Sequence, residues 1–200
     1  MEDVGGPTGP LEPASGIGSG SAAPGAALAT IERVFVLGID PGLSRCGYGI
    51  VRAHAGGPQV VVAGVLRTPA SAPTPDRLAE LQCDLRGLLQ EHRPEVVVIE
   101  RVLFQVNVRT AIPTAQAAGI AMAEAVGAGC TVVEYSPNQV KQAVTGVGNA
   151  DKEQVERMVQ TLLRIDRPLR PVDAADAVAL ALCHLAQAPF RRRVATAVAR

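Results

Sequence analysis

The sequence predicts an α/β domain with a mixed five-stranded sheet flanked by helices. Three observations carry that reading. Short apolar runs of strand length recur along the chain, first three in succession and later alternating with helical patterns. Two of those runs, Val34 to Asp40 and Glu95 to Glu100, end in a carboxylate. Leucines at 78, 81, 85, 88 and 89 repeat at helical spacing between them.

Composition bounds the rest. The chain has 200 residues, 48% of them apolar and only 2% aromatic, so one sizeable core of Val, Leu, Ile and Ala is expected. Nineteen basic and nineteen acidic residues balance, which argues against a chain basic throughout but leaves room for a local positive face. Cys46, Cys83, Cys130 and Cys183 lie tens of residues apart, without the spacing of a metal site, and read as reduced, mostly buried thiols of a cytoplasmic protein. No apolar run approaches a membrane span of ~20 residues, so no membrane association is expected. The Met-Glu-Asp start lacks the basic region of a secretory signal.

Residues 1–31 are mostly Gly, Ala, Pro and Ser and read as a disordered extension, because such a segment buries too little surface to offset its ordering entropy. The folded domain is expected over 32–188, with 189–200 as a basic, flexible tail. Val34 to Asp40, Tyr48 to Ala53 and Gln59 to Arg67 read as three strands, joined by turns short enough for antiparallel neighbours. Thr74-Pro75-Asp76 reads as a helix start with a threonine cap, and the helix runs to about Glu91. Pro94 stops it, and Glu95 to Glu100 is a fourth strand able to lie parallel to an earlier one.

An Ala/Gly-rich helix follows, from about Thr110 to Ala128, with Pro113 in its first turn. Its small residues Ala117, Ala118, Gly119 and Ala121 permit close approach of the sheet or of a second subunit. Thr131 to Tyr135 is the fifth strand. Ser136 to Gln139 is a capping-box start, Asp151 caps a helix to about Ile165, and the last helix spans Asp173 to Ala188.

The carboxylates pose the functional question. Asp40 before Pro-Gly has an ordinary role as a turn cap, and Asp173 and Asp176 are equally ordinary in a solvated first helical turn. Neither role explains acids at the ends of two apolar strands. Should these segments converge, their repulsion is large: a like pair at ~4 Å and an effective dielectric of ~20 costs about 4 kcal/mol. Oxygen-rich clusters of this kind suit Mg²⁺.

The blocks GIDPGLSRCGYGIV, VVIERVLFQVN, QVKQAVTGVGNADKEQV and DAADAVALALCH together resemble the RuvC family of crossover (Holliday) junction endodeoxyribonucleases, members of the ribonuclease H-like fold. The resemblance runs in family order from about Val34 to about Ala188. It implies a three-layer ribonuclease H-like domain acting as a homodimer on four-way DNA junctions in recombination and repair. It implies symmetric nicking that leaves 5′-phosphate and 3′-hydroxyl ends. Asp40, Glu100, Asp173 and Asp176 match the acids that hold two Mg²⁺ ions per site in that family, with Mn²⁺ able to substitute. Two-metal chemistry then activates a water and stabilises the departing oxygen.

The only two lysines, Lys141 and Lys152, fall in blocks where the family contacts DNA, and Arg157 and Arg164 extend that stripe. The family's aromatic three residues after the strand-ending Glu is replaced by Leu103. Phe104 beside it is able to stack on a base, although burial in the core is the ordinary alternative. Coupling to a branch-migration complex of the RuvA and RuvB type is implied too. Arg191 to Arg193 read as a solvated charge run. Two other readings remain: a non-catalytic junction-binding module, expected to have lost some of the acids, and a fragment of an actin-like or sugar-kinase-type ATPase, expected to show a second glycine-rich phosphate loop.

Overall fold

The computed structural model describes residues 34–54, 56–102 and 108–198, without side chains at 108–110 and 188–198. The expected extension at 1–31, and Leu103 and Phe104, lie outside the described residues. Among the described residues five strands form one sheet: β1 (Phe35–Asp40), β2 (Arg45–Arg52), β3 (Gln59–Arg67), β4 (Val96–Glu100) and β5 (Thr131–Tyr135). Their order is β3-β2-β1-β4-β5. β1, β2 and β3 pair antiparallel in sequence, as their short turns require, whereas β4 lies parallel to β1 and β5 parallel to β4.

The helices are α1 (Thr74–His92), α2 (Val108–Gly127), α3 (Pro137–Thr145), α4 (Lys152–Leu163) and α5 (Val172–Val198). Strand side chains alternate between two cores. Leu37, Ile39, Val97 and Ile99 pack with Leu81, Leu85 and Leu89 of α1 and the alanines of α2. Val36, Val51 and Val98 point the other way, against Val140 and Val144 of α3, Val159 of α4 and Val178 of α5. The result is the expected three-layer α/β arrangement.

Several boundaries differ from expectation, for local reasons. The cap of α1 is Pro73, in extended conformation with no side-chain hydrogen bond, and Thr74 is already helical. Helix α2 starts two residues before the expected Thr110, so Pro113 falls in its second turn rather than its first. Helix α5 continues through Arg191–Arg193 to Val198 instead of ending at Ala188, in keeping with the high helix propensity of Ala and Arg. The expected capping box of Ser136 with Gln139 opens α3, and Asp151 caps α4 as expected, with Gln154 completing a second box.

The small residues of α2 divide. Ala117, Ala118 and Ala121 are buried in the core beneath, while Gly119 faces outward on the side of exposed Ile112 and Val126. Across the buried side, Arg86 of α1 makes a two-pronged contact with Glu124 of α2 at 2.9 and 2.8 Å, and Gln82 adds a third bond. Of the four cysteines, Cys46 and Cys183 are buried, Cys130 is half-buried and Cys83 is exposed; all are free thiols.

Candidate active site

Asp40 and Glu100 end neighbouring parallel strands. The ladder pairs Ile39 with Ile99, so the two acids follow side by side, and both alternate onto the α5 face of the sheet. This is the edge of an open α/β sheet where ligands bind, beyond the carboxyl ends of the strands.

Glycines bring α5 down onto that edge. Gly38 and Gly49 are cross-strand partners. A Cβ on Gly38 would lie 1.9 Å from the carbonyl oxygen of Ala177, and one on Gly49 would lie 2.5 Å from a methyl of Val178. Gly47, the cross-strand partner of Asp40, is similarly placed: its Cβ would lie 2.1 Å from the carbonyl oxygen of Asp173. The first turn of α5, with Asp173 and Asp176 one helical turn apart, is therefore seated on backbone beside Asp40.

Electrostatics agree with that proximity. Burial, then repulsion from Glu100, Asp176 and Asp173, raises the Asp40 carboxyl to about 7. Burial and Asp176 also raise Glu100. Asp173 moves the opposite way, held low by hydrogen bonds from Arg45. The Arg45 guanidinium donates through Nε at 3.0 Å and through a terminal nitrogen to the same oxygen, Asp173 Oδ2. Lys152 donates to Asp176 at 3.1 Å. Among the described residues, no three or more Asp, Glu, His or Cys side chains converge tightly enough as they stand to hold a metal ion. Two of the four acids are instead turned onto these cations. The donor set still fits Mg²⁺, because the clustered negative charge that raises Asp40 and Glu100 also favours a divalent ion among the carboxylates.

A cleft of about 240 Å³ opens at this edge, with Glu100, Asp176, Lys141 and Lys152 in its wall. Asp40 and Asp173 are not among its lining. Both lysines thus share this wall with Glu100 and Asp176. Arg157 is exposed on α4, and Arg164 is the left-handed cap at its end.

The chain matches the family model described as crossover junction endodeoxyribonuclease RuvC over residues 36–184. It belongs to the RuvC family. A crossover junction endodeoxyribonuclease RuvC of Streptomyces avermitilis is 51% identical over 165 residues, covering 82% of this chain and 94% of that protein. The solved RuvC of Thermus thermophilus superposes with a TM-score of 0.74 at 34% identity, covering 78% of this chain and 96% of that one. The same protein has been solved in complex with Holliday junction substrate, with the same scores. Membership in this family accounts for the sheet order.

Sequence reasoning missed several residues that build the site. Arg45 is one, and the seating glycines are others. A third group fixes the turn after Asp40. Buried Thr68 donates to the carbonyl of Leu43 at 2.5 Å, and Arg77 of α1 bonds both Thr68 at 3.0 Å and Ser44 at 2.6 Å. Beside Glu100 in the ladder is fully buried Tyr135, whose hydroxyl lies 3.2 Å from Nδ1 of His184 on α5. No local pattern marks such pairs. Only the Gly-x-Gly spacing at Gly47 and Gly49 hints at a close approach.

Proposed function

We propose that this chain resolves four-way (Holliday) DNA junctions by hydrolysing one phosphodiester in each of two strands, with Asp40, Glu100, Asp173 and Asp176 holding Mg²⁺ at the scissile phosphate. The observation that carries it is the side-by-side ending of β1 and β4 in acids beneath the first turn of α5. The junction bound by the T. thermophilus relative is the substrate carried over to this chain.

The residues divide the work. Asp40 and Glu100 are half-buried at the ends of central strands, so they hold their positions without reorganisation when charge builds up on the phosphate. Asp173 and Asp176 come from the start of α5, and hydrogen bonds from Arg45 hold Asp173 ionised. Lys141 and Lys152, lining the adjacent cleft, bind the DNA backbone and set its position relative to the acids. Magnesium, when bound, supplies Lewis-acid stabilisation of charge on the phosphodiester oxygens. The products are a 5′-phosphate and a 3′-hydroxyl, which a ligase can rejoin.

Symmetric cleavage needs two sites. In this reading two copies pair through the outward face of α2, where Ile112 and Val126 are 57% and 65% exposed beside Gly119. A branch-migration complex of the RuvA and RuvB type would deliver the junction. Described residues include no helix long and apolar enough to cross a membrane.

The test is a labelled four-way junction incubated with the purified protein in Mg²⁺ and in EDTA. Paired nicks across the junction in Mg²⁺ alone are expected, with products that a ligase seals. Cleavage in EDTA, or equal cutting of linear duplex, would reject the proposal.

A further inference from the structure

We propose that Arg45 is a built-in counter-ion of the metal site, which occupies Asp173 in the metal-free protein and competes with a divalent cation for that carboxylate. The inference rests on the four-carboxylate reading above and adds a residue to it.

The geometry is specific. Both Nε and a terminal nitrogen of Arg45 are directed at one oxygen, Asp173 Oδ2. A carboxylate oxygen has about two lone-pair sites, so Oδ2, accepting two N–H bonds, has none left for a metal ion, and a cation must take it from the guanidinium or bind Oδ1 beside a fixed positive charge. On either route cation and guanidinium compete for the charge of one carboxylate. The contact forms across 128 residues of sequence, from a half-exposed side chain whose backbone is fixed in place.

Three features hold it. The preceding turn is pinned by Thr68 on the Leu43 carbonyl and by Arg77 on Ser44. Gly42 packs so closely under Arg45 that a Cβ there would lie 2.4 Å from the Arg45 carbonyl oxygen. Across the ladder, the partner of Arg45 in β3 is Arg67, a like charge directly opposite, which disfavours the side chain lying back along the sheet. Asp173 offers the carboxylate that relieves that repulsion.

Lys152 on Asp176 repeats the pattern on the next acid along α5. Two acids of the helix are thus paired with one cation each, while the strand acids Asp40 and Glu100 have their proton affinity raised by burial and by neighbouring carboxylates instead. Displaced from Asp173, Arg45 is left beside the DNA-facing edge with a free guanidinium, a group whose fork matches phosphate oxygens.

The test measures metal binding without DNA, by titrating Mn²⁺ into the full-length protein and following free Mn²⁺ by electron paramagnetic resonance. Arg45→Gln is expected to bind Mn²⁺ roughly two- to fivefold more tightly than wild type, the range set by the modest strength of a half-exposed ion pair. Arg45→Lys, which keeps the charge but loses the fork, should fall between the two. Affinity that is unchanged or weaker in Arg45→Gln overturns the inference, and a melting curve matching wild type excludes misfolding as the cause. Asp40→Asn separates the two levels: if it leaves Mn²⁺ binding of the wild-type background unaltered, the carboxylate site itself fails, and Arg45 with it.

Discussion

The ammonium of Lys152 stands 3.1 Å from a carboxylate oxygen of Asp176, so a side chain suited to DNA phosphate rests on a proposed metal ligand. The pair forms a partition between two clefts of about 240 Å³ each, one towards Lys141 and Glu100, the other towards Glu156 and Arg170. Replacing Lys141 and Lys152 together by alanine should weaken junction binding. The slope of log affinity against log salt should fall by about two, one unit for each lost phosphate contact. A slope equal to that of wild type, measured in Ca²⁺ to prevent cleavage, would remove both lysines from the interface.

Asp40→Asn and Glu100→Gln keep the size of each side chain and remove its charge. Each should retain junction binding and lose at least about a hundredfold in cleavage rate in Mg²⁺, the scale on which one preorganised charge-stabilising group acts. Single-turnover cleavage on a four-way junction reads the loss. A variant cutting at wild-type rate would exclude that acid from the site.

The raised Asp40 carboxyl has a consequence for stability. In the unfolded chain the group ionises near 3.8, whereas in the metal-free folded protein it retains its proton up to about 7. Between those values the folded state binds more protons, so stability falls as pH rises, by up to about 4 kcal/mol in the limit. Glu100 acts in the same direction. The lowered Asp173 acts in the opposite sense, giving stability above its unfolded value that disappears in more acid solution. The melting temperature of the EDTA-treated protein should therefore drop from pH 5 to pH 8, Asp40→Asn should flatten that drop, and Mg²⁺ should reverse it. A melting temperature that climbs over this range would contradict the assignment.

Gly47→Ala places a methyl 2.1 Å from the Asp173 carbonyl oxygen. Overpacking of this kind costs about 1–3 kcal/mol and pushes the first turn of α5 off the sheet. Cleavage should fall far more than stability, since Asp173 and Asp176 move relative to Asp40. Thermal melting and cleavage measured on the same preparation separate the effects, and full activity in Gly47→Ala would show that the helix can shift without harm.

Ile112→Glu puts a charge on the outward face of α2. Light scattering should report a shift from two copies to one at micromolar concentration, with nicking no longer paired. A wild-type mass matching one subunit would dispose of this interface before any variant was made.

The parts of this architecture written in local sequence were readable. Asp40 and Glu100 announce themselves because apolar strands rarely end in acids without cause, and the boxes at Ser136 and Asp151 open α3 and α4 where their side chains indicate. Thr74 misled, because a threonine before proline resembles a cap whether or not the preceding proline has already taken the position. Arg45 gave no sign at all. It opens β2, and the partner that gives it meaning is fixed only when α5 folds across β1 and β2. The same holds for Tyr135 and His184, buried together from elements 49 residues apart. Tertiary pairing of this kind leaves no periodicity to read.

At Gly38, Gly47 and Gly49 the helix rests on main chain with almost nothing interposed. The spacing between strand acids and helix acids is accordingly a property of the polypeptide skeleton, indifferent to rotamer exchange in the surrounding hydrocarbon. Protein engineers could thus repack Leu81, Leu85 and Leu89 on the opposite face of the sheet for heat tolerance while leaving the reacting geometry untouched: durability and precision sit on separate dials.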